Sequence, residues 1–243
     1  MVKEGAKVGI LGRTEAKLNE AISDLETIGA KAMGLKADVL NQEELELAKS
    51  EVLRKWGQID ILINCAGGNM KGATIMPDQN IFDLSISDFD RVTSLNLKGT
   101  LLPILVFGPE MTKQGKGSII NISSMAAQRP LTRVVGYAAS KAAIDNLTKW
   151  LAIEMAQKFG AGLRVNALAP GFFVGEQNRK LLFDESGQLS ARGQTIIDHT
   201  PMKRFGDPED LCGAINWLSS DSSSFVTGTV ISVDGGFGAF SGV

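Results

Sequence analysis

Three side chains between positions 124 and 141 have the types and spacing for proton transfer. The stretch opens with an apolar run, Ser118-Ile119-Ile120-Asn121-Ile122, which reads as a buried strand ending at Ser123-Ser124. A helix beginning near Gly136 then places Tyr137 and Lys141 four residues apart, on one face. A hydroxyl at a strand end, facing a phenol and an ammonium on the next helix, makes a site for acid–base work. Tyr137 is the only tyrosine in the chain, which weighs against a tyrosine that merely packs.

The elements that must position this group alternate along the chain. Ala6 to Leu11 is a short apolar run stopped at Gly12-Arg13-Thr14, and Thr14 is suited to cap a helix whose stripe is Ala16, Leu18, Ile22 and Leu25. Lys31 to Ala37 reads as a second strand. Asn41 caps a helix from Gln42 to Trp56, and Ile59 to Ile63 is a third strand running into Asn64-Cys65-Ala66-Gly67-Gly68. A glycine-rich loop leads to a long helix from Ser87-Asp88, with Asn96 in its middle and Pro103 expected to bend it. After the 118–122 strand and the 136–159 helix come a strand at 163–168, a helix opened by Asp207-Pro208 and a last strand at 229–233. Strands and helices in this rhythm predict βαβ units around a parallel sheet covered on both faces. No repeat or linker divides residues 1–243, so one domain is expected.

Composition excludes several other classes. The chain has 243 residues, 44% hydrophobic and 21% charged, with a net charge of −2 that gives no long-range attraction to nucleic acid or an anionic membrane. The longest apolar stretch, Leu101 to Phe107, is far too short to span a bilayer. The single histidine, His199, cannot build a histidine metal cluster, and the two cysteines, Cys65 and Cys212, read as buried thiols in a reducing compartment. Without a secretory leader the expected location is the cytoplasm.

Taken together, Asn64-Cys65-Ala66-Gly67 after a strand, Asn96 within a helix, Ser124, Tyr137 to Lys141, Pro170-Gly171 and Asp234-Gly235-Gly236 resemble the short-chain dehydrogenase/reductase family over nearly the whole chain. The resemblance implies a Rossmann-like doubly wound parallel sheet and an NAD(P)-dependent oxidoreductase that interconverts a ketone and a secondary alcohol. It casts Tyr137 as the acid, Ser124 as the holder of the substrate oxygen, Lys141 as the partner of Tyr137 and of the nicotinamide ribose, and Asn96 as the anchor of a proton-returning water chain. A free phenol near pKa 10 is a poor acid–base group at neutral pH, so Lys141 together with a positively charged oxidised nicotinamide is expected to lower that value. Cofactor contacts are expected from Arg13, Asp38, Val39, Asn64, Ala66, Gly67, Tyr137, Lys141, Pro170 and Gly171. The family also implies a dimer or tetramer built through the helices at 87–112 and 136–159.

Cofactor choice is read at the end of the 6–11 strand. NAD enzymes place an acid there for the ribose hydroxyls. This chain has Gly12-Arg13 instead, and a guanidinium suits a 2′-phosphate, so NADP(H) is expected over NAD(H). The segment 171–206 is expected to form a substrate lid. Its block Phe172-Phe173-Val174-Gly175-Glu176-Gln177-Asn178-Arg179 has Gly175 where the family carries a threonine. That block, with the ending after Asp234, is similar to the D-mannonate oxidoreductase (fructuronate reductase) branch, which implies carbohydrate metabolism and a keto-sugar acid as substrate. Arg129, Asn178 and Arg179 are the expected carboxylate or hydroxyl partners. Reduction of an acyl thioester carbonyl would use the same catalytic residues.

One departure from the family pattern stands out. Met1 to Gly5 matches only the tail of the family's first helix, and the strand and TGxxxGxG turn expected before it, roughly 30 residues, have no counterpart. The missing strand would leave two backbone edges facing a gap. Three readings stay open: a misassigned start, a short form that still binds nucleotide weakly, and a catalytically impaired form acting as a scaffold or binding protein.

Overall fold

Two parallel sheets share one layered α/β body in the computed structural model, which describes residues 1–175 and 178–242. Strands β1 (Lys7–Gly12) and β2 (Lys31–Lys36) pair in register, with Lys7 opposite Lys31 and Gly12 opposite Lys36. The second sheet has the order β3 (Ile61–Asn64), β4 (Gly117–Ile122), β5 (Leu163–Pro170), β6 (Val230–Val233), all parallel. Among the described residues no ladder joins β1 to β3, so each has one edge without a strand partner, as the sequence implies.

The helices are α1 (Glu15–Thr27), α2 (Gln42–Trp56), α3 (Ile86–Thr93), α4 (Gly99–Gln114), α5 (Val135–Phe159), α6 (Arg179–Leu182), α7 (Ala191–Asp198) and α8 (Pro208–Ser219). Strands β4 and β5 are buried along almost their whole length, because parallel crossovers lay helices on both faces. On one face Ile119 and Val165 pack with Ile104, Phe107 and Val52, and Leu35 of β2 joins the same cluster. On the other face Ile120 and Leu168 pack with Leu218 of α8. The first of these clusters ties the two sheets together where backbone bonding does not.

Helix boundaries follow local chemistry, with two corrections. Asn41 accepts the backbone N–H groups of Glu43 and Glu44, and Asp207 with Asp210 closes a capping box ahead of Pro208. Thr14 stands at the N-cap of α1, but its hydroxyl makes no capping bond, so that helix starts without the expected cap. The long helix breaks at a π-helical turn, Ser94–Lys98, rather than being organised by Pro103. The cause is Asn96, whose side-chain amide donates to the Val92 carbonyl at 2.8 Å and so takes the acceptor that a regular helix gives to the residue 96 N–H. The two cysteines are exposed rather than buried, since Cys65 follows the end of β3 into a turn and Cys212 lies on the outer side of α8.

Candidate active site

The strand-to-helix passage from β4 to α5 assembles the proton-transfer group. Ser124 leaves β4 in extended conformation and its hydroxyl accepts the Ala126 N–H at 3.1 Å. Tyr137, in the first turn of α5, lies near enough to that same Ser124 side chain for the serine to pull its phenol down. Lys141 is buried one turn on; its ammonium donates to the Ile122 carbonyl at 2.6 Å and lies 5.6 Å from the centre of the Tyr137 ring. Ser124, Tyr137 and Lys141 therefore meet at the C-terminal end of β4.

Asn96 joins them from the π-helical turn. Fully buried, it donates to the Gly68 carbonyl at 2.8 Å and accepts the Gly68 N–H at 3.2 Å, so it clamps the turn after β3. A Cβ on Gly67 would stand 2.6 Å from the Asn96 side-chain oxygen and 3.4 Å from the Lys141 ammonium. The missing side chain at Gly67 thus makes room for Asn96 and Lys141, a tighter reason for glycine than turn chemistry. Asn64 turns inward instead: its amide donates to Asn121 at 2.9 Å, and Asn121 donates to Thr148 of α5 at 2.9 Å. That buried chain locks β3, β4 and α5 together, and Asn121 and Thr148 carry no sequence signature that would single them out.

Burial dominates the electrostatics. It pulls the Lys141 ammonium down to about 8, with the Cys65 thiol and the Asp145 carboxyl working against it. The same burial pushes the Tyr137 phenol above its ordinary value, with the Ser124 hydrogen bond pulling back. In the chain without cofactor, desolvation is the larger influence on the phenol and Ser124 the smaller, opposing one. The phenol consequently keeps its proton across the neutral range, which is the state an acid needs. Cys65 has solvent-exposed surface, yet the wall around it desolvates the thiol and raises it, while Lys141 lowers it. Asp145, one turn beyond Lys141, is bonded to the Ser123 hydroxyl; burial raises its carboxyl, and Ser123, Lys149 and Lys141 pull it down. The spacing Lys141, Asp145, Lys149 is the signal that reveals this support from sequence.

At the far end of β1 the contacts are looser. Arg13 pairs with Asp38 at 3.6 Å while remaining largely exposed. Asp38 accepts the Leu40 N–H at 2.9 Å and its own N–H donates to Glu44 at 2.6 Å, so the turn after β2 is fixed. Val39 packs where a Cβ on Gly99 would come within 3.0 Å. Ala66 is half-buried in the turn beside Gly67. Pro170 ends β5, and Gly171 passes so close to Asp234 that a Cβ there would lie 2.7 Å from the Asp234 Cα. Asp234 in turn accepts the N–H groups of Gly236 at 2.9 Å and Gly238 at 2.7 Å, which explains the Asp-Gly-Gly motif as a turn.

The three expected substrate partners are engaged elsewhere. The Arg129 guanidinium donates twice to the Gly238 carbonyl, at 2.9 and 2.5 Å, and pins the C-terminal segment. Asn178 accepts the Gly175 N–H and donates to the Phe173 carbonyl, both at 2.8 Å, so it stiffens its own loop. Arg179 stacks over Phe183 at 5.2 Å and is exposed. Glu176 and Gln177 of the same block lie outside the described residues. A cavity of about 380 Å³ runs between Phe172, Phe173, Met202 and Asp234, and none of Asn96, Ser124, Tyr137 or Lys141 lines it. Among the described residues no group of histidine, cysteine and carboxylates is placed to hold a metal ion.

Comparison with known proteins agrees with this geometry. A family model described as enoyl-(acyl carrier protein) reductase matches residues 1–238. The oxidoreductase UxuB of Bacillus subtilis (strain 168), itself uncharacterised, is 44% identical over 252 residues, covering 100% of this chain and 90% of that protein. A Haemophilus influenza protein described as a candidate D-mannonate oxidoreductase, solved with bound NAD, superposes with a TM-score of 0.91 at 41% identity, covering 100% of this chain and 89% of the other. Gluconate 5-dehydrogenase from Burkholderia cenocepacia J2315, solved with NADP and tartrate, gives 0.85 at 30% identity over 98% and 88% of the two chains.

Proposed function

Because the chain belongs to the short-chain dehydrogenase/reductase family and is an NAD(P)-dependent oxidoreductase, we propose that it interconverts a keto-sugar acid of the fructuronate type and its secondary alcohol, mannonate. The observation that carries the reading is the group of half-buried Ser124 and Tyr137 with buried Lys141, its phenol raised above its ordinary value. The sugar-acid assignment draws support from the D-mannonate oxidoreductase and gluconate dehydrogenase among its structural neighbours.

In the reducing direction Tyr137 donates its proton to the carbonyl oxygen, and the Ser124 hydroxyl holds that oxygen as negative charge develops on it. The dinucleotide, when bound, supplies the hydride to the carbonyl carbon. Lys141 presents positive charge beside the phenolate that remains. Asn96 positions the Gly67-Gly68 turn, leaving the face above Lys141 open. The residues present would hold the two ends of a nicotinamide dinucleotide, Tyr137, Lys141, Ala66 and Gly67 at the nicotinamide with Pro170 and Gly171 across from them, and Asp38, Val39 and Arg13 at the adenine, whereas the Gly-rich turn for its pyrophosphate has no counterpart in residues 1–243. Asn64 contributes its backbone, since its amide is buried against Asn121. NADP(H) is favoured over NAD(H), on the exposed Arg13 and on Gly12-Arg13 standing where an acid would end β1. Residues 171–206 act as the lid within one domain.

Exposed Leu105 on α4, with Trp150 and Ile153 on α5, supports a homo-oligomer formed through these helices. Among the described residues no helix is long and apolar enough to cross a membrane, and with two free thiols the reading is set in the cytoplasm. Steady-state reduction of fructuronate by NADPH and by NADH, with fructose and a β-ketoacyl thioester as competitors for the assignment, tests it. Saturable fructuronate reduction abolished by Tyr137→Phe is expected; preference for the thioester overturns the substrate class.

A further inference from the structure

Two arginines that the sequence does not single out meet where α7 packs against the loop that enters α5. Arg133 closes the loop that enters α5, four residues before Tyr137, and is half-buried with a backbone φ of +77°. That is the left-handed region, which costs a residue with a side chain about 1 kcal/mol or more and is tolerated where the surroundings enforce it. The enforcing contact is visible: the Ile75 N–H donates to the Arg133 carbonyl at 2.9 Å.

Arg192 reaches the same loop from α7, in the 171–206 segment, and donates to the Thr132 hydroxyl at 3.3 Å. It too is half-buried. Burial lowers the pKa of its guanidinium, and the Arg133 charge lowers it further, so the two cations repel one another. Among the described residues neither forms an ion pair with a carboxylate. The carboxylates on the neighbouring lid are engaged locally: Asp184 accepts Ser186 and Gln188, and Asp198 accepts Gln194. Two partly desolvated guanidiniums without a counter-charge are unfavourable until an anion joins them. Arginine forks suit a planar carboxylate in particular.

We infer that Arg133 and Arg192 form the carboxylate clamp of the substrate site, seating the acid group between the α5 loop and α7 while the ketone oxygen rests on Ser124 and Tyr137. The inference rests on the sugar-acid reading and specifies the residues that make it. Arg129, Asn178 and Arg179, with their other partners, then serve as scaffold for the lid and tail. Because one arginine comes from the loop before the catalytic helix and the other from the lid, the substrate's own carboxylate draws the lid onto the site.

The test compares fructuronate with fructose, which carries a neutral hydroxymethyl group in place of the carboxylate. Arg192→Met and Arg133→Met are each expected to raise the KM for fructuronate about 10- to 100-fold, the size of a lost charged hydrogen bond. They should leave kcat within about threefold and fructose reduction unchanged, and Arg192→Lys should recover part of the loss. Equal losses on both substrates, or an unchanged KM for fructuronate, overturn the clamp. Should the wild type show no preference for fructuronate over fructose, the sugar-acid reading fails. The clamp is then decided by calorimetric titration of the NADP-bound enzyme with tartrate: binding abolished in both methionine variants sustains it, and no binding to wild type, or binding that survives, overturns it. Thermal midpoints matched to wild type show that the variants fold.

Discussion

The two ends of the site are built to different standards. At the α5 end, Asn96 is fully buried with three hydrogen bonds to the backbone groups of Val92 and Gly68, and Lys141 is buried on the Ile122 carbonyl. At the β1 end, Arg13 is 71% exposed and has one long ion pair to Asp38. A pair so exposed contributes little to stability. The α5 end is therefore over-determined and the β1 end is adjustable. This is the division expected when proton transfer demands sub-ångström placement and cofactor choice demands only charge.

Substitutions can break this comparison, and the largest effect belongs to the acid. Tyr137→Phe removes the proton donor and is expected to lower kcat by about 10²- to 10⁴-fold, while cofactor affinity measured by fluorescence titration stays within a few-fold. Next comes the packing around Asn96. A methyl group at Gly67 would meet the oxygen of an amide that three hydrogen bonds hold in place, so Gly67→Ala should destabilise by about 1–3 kcal/mol in urea unfolding and lower kcat as well. If Gly67→Ala is silent in both measurements, the α5 end is softer than described.

Lys141 gives a pH signature. Its folded value is about 8 against 10.5 for the ordinary group, so between those values the unfolded chain holds a proton that the folded chain has released. Stability from this residue therefore rises with pH from about 8 toward 10.5, and it is penalised below that window. Lys141→Met should flatten that part of the stability-versus-pH curve and, by removing the charge beside Tyr137, lower activity. A slope unchanged in the variant would assign the titration to another group.

The exposed end should respond more weakly. Arg13→Ala is expected to reduce the NADPH-over-NADH preference in kcat/KM by about tenfold without changing kcat, the scale of one charged hydrogen bond. Unchanged preference would move selection away from β1. The smallest effect sharpens the contrast in capping. Asn41→Ala should cost about 1 kcal/mol in stability because its side chain accepts two N–H groups, whereas Thr14→Ala should cost only a few tenths.

Much of the architecture was legible in advance. Periodicity and turn residues place every strand within two residues of its observed ends, since alternating βαβ units leave long, clearly bounded apolar runs such as Ile119–Ile122 and Leu163–Ala169. Spacing alone brings Tyr137 and Lys141 to one helix face. Asn96 was legible as a residue and not as a helix break, because its competition for the Val92 carbonyl depends on the chain returning past Gly68.

What the sequence by itself determined is the identity and order of the chemical groups: a hydroxyl after β4, a phenol and an ammonium on one helical face, an arginine where an acid would select NAD. What only the tertiary structure decided is the state and availability of those groups. Burial, a property of the assembled layers, lowered Lys141 and raised Tyr137. Contacts far apart in the chain, Arg129 with Gly238 and Arg192 with Thr132, decided which arginine is taken up by a carbonyl and which meets only a hydroxyl. Pattern is a local property of the chain, whereas desolvation and long-range pairing exist only once the layers have closed.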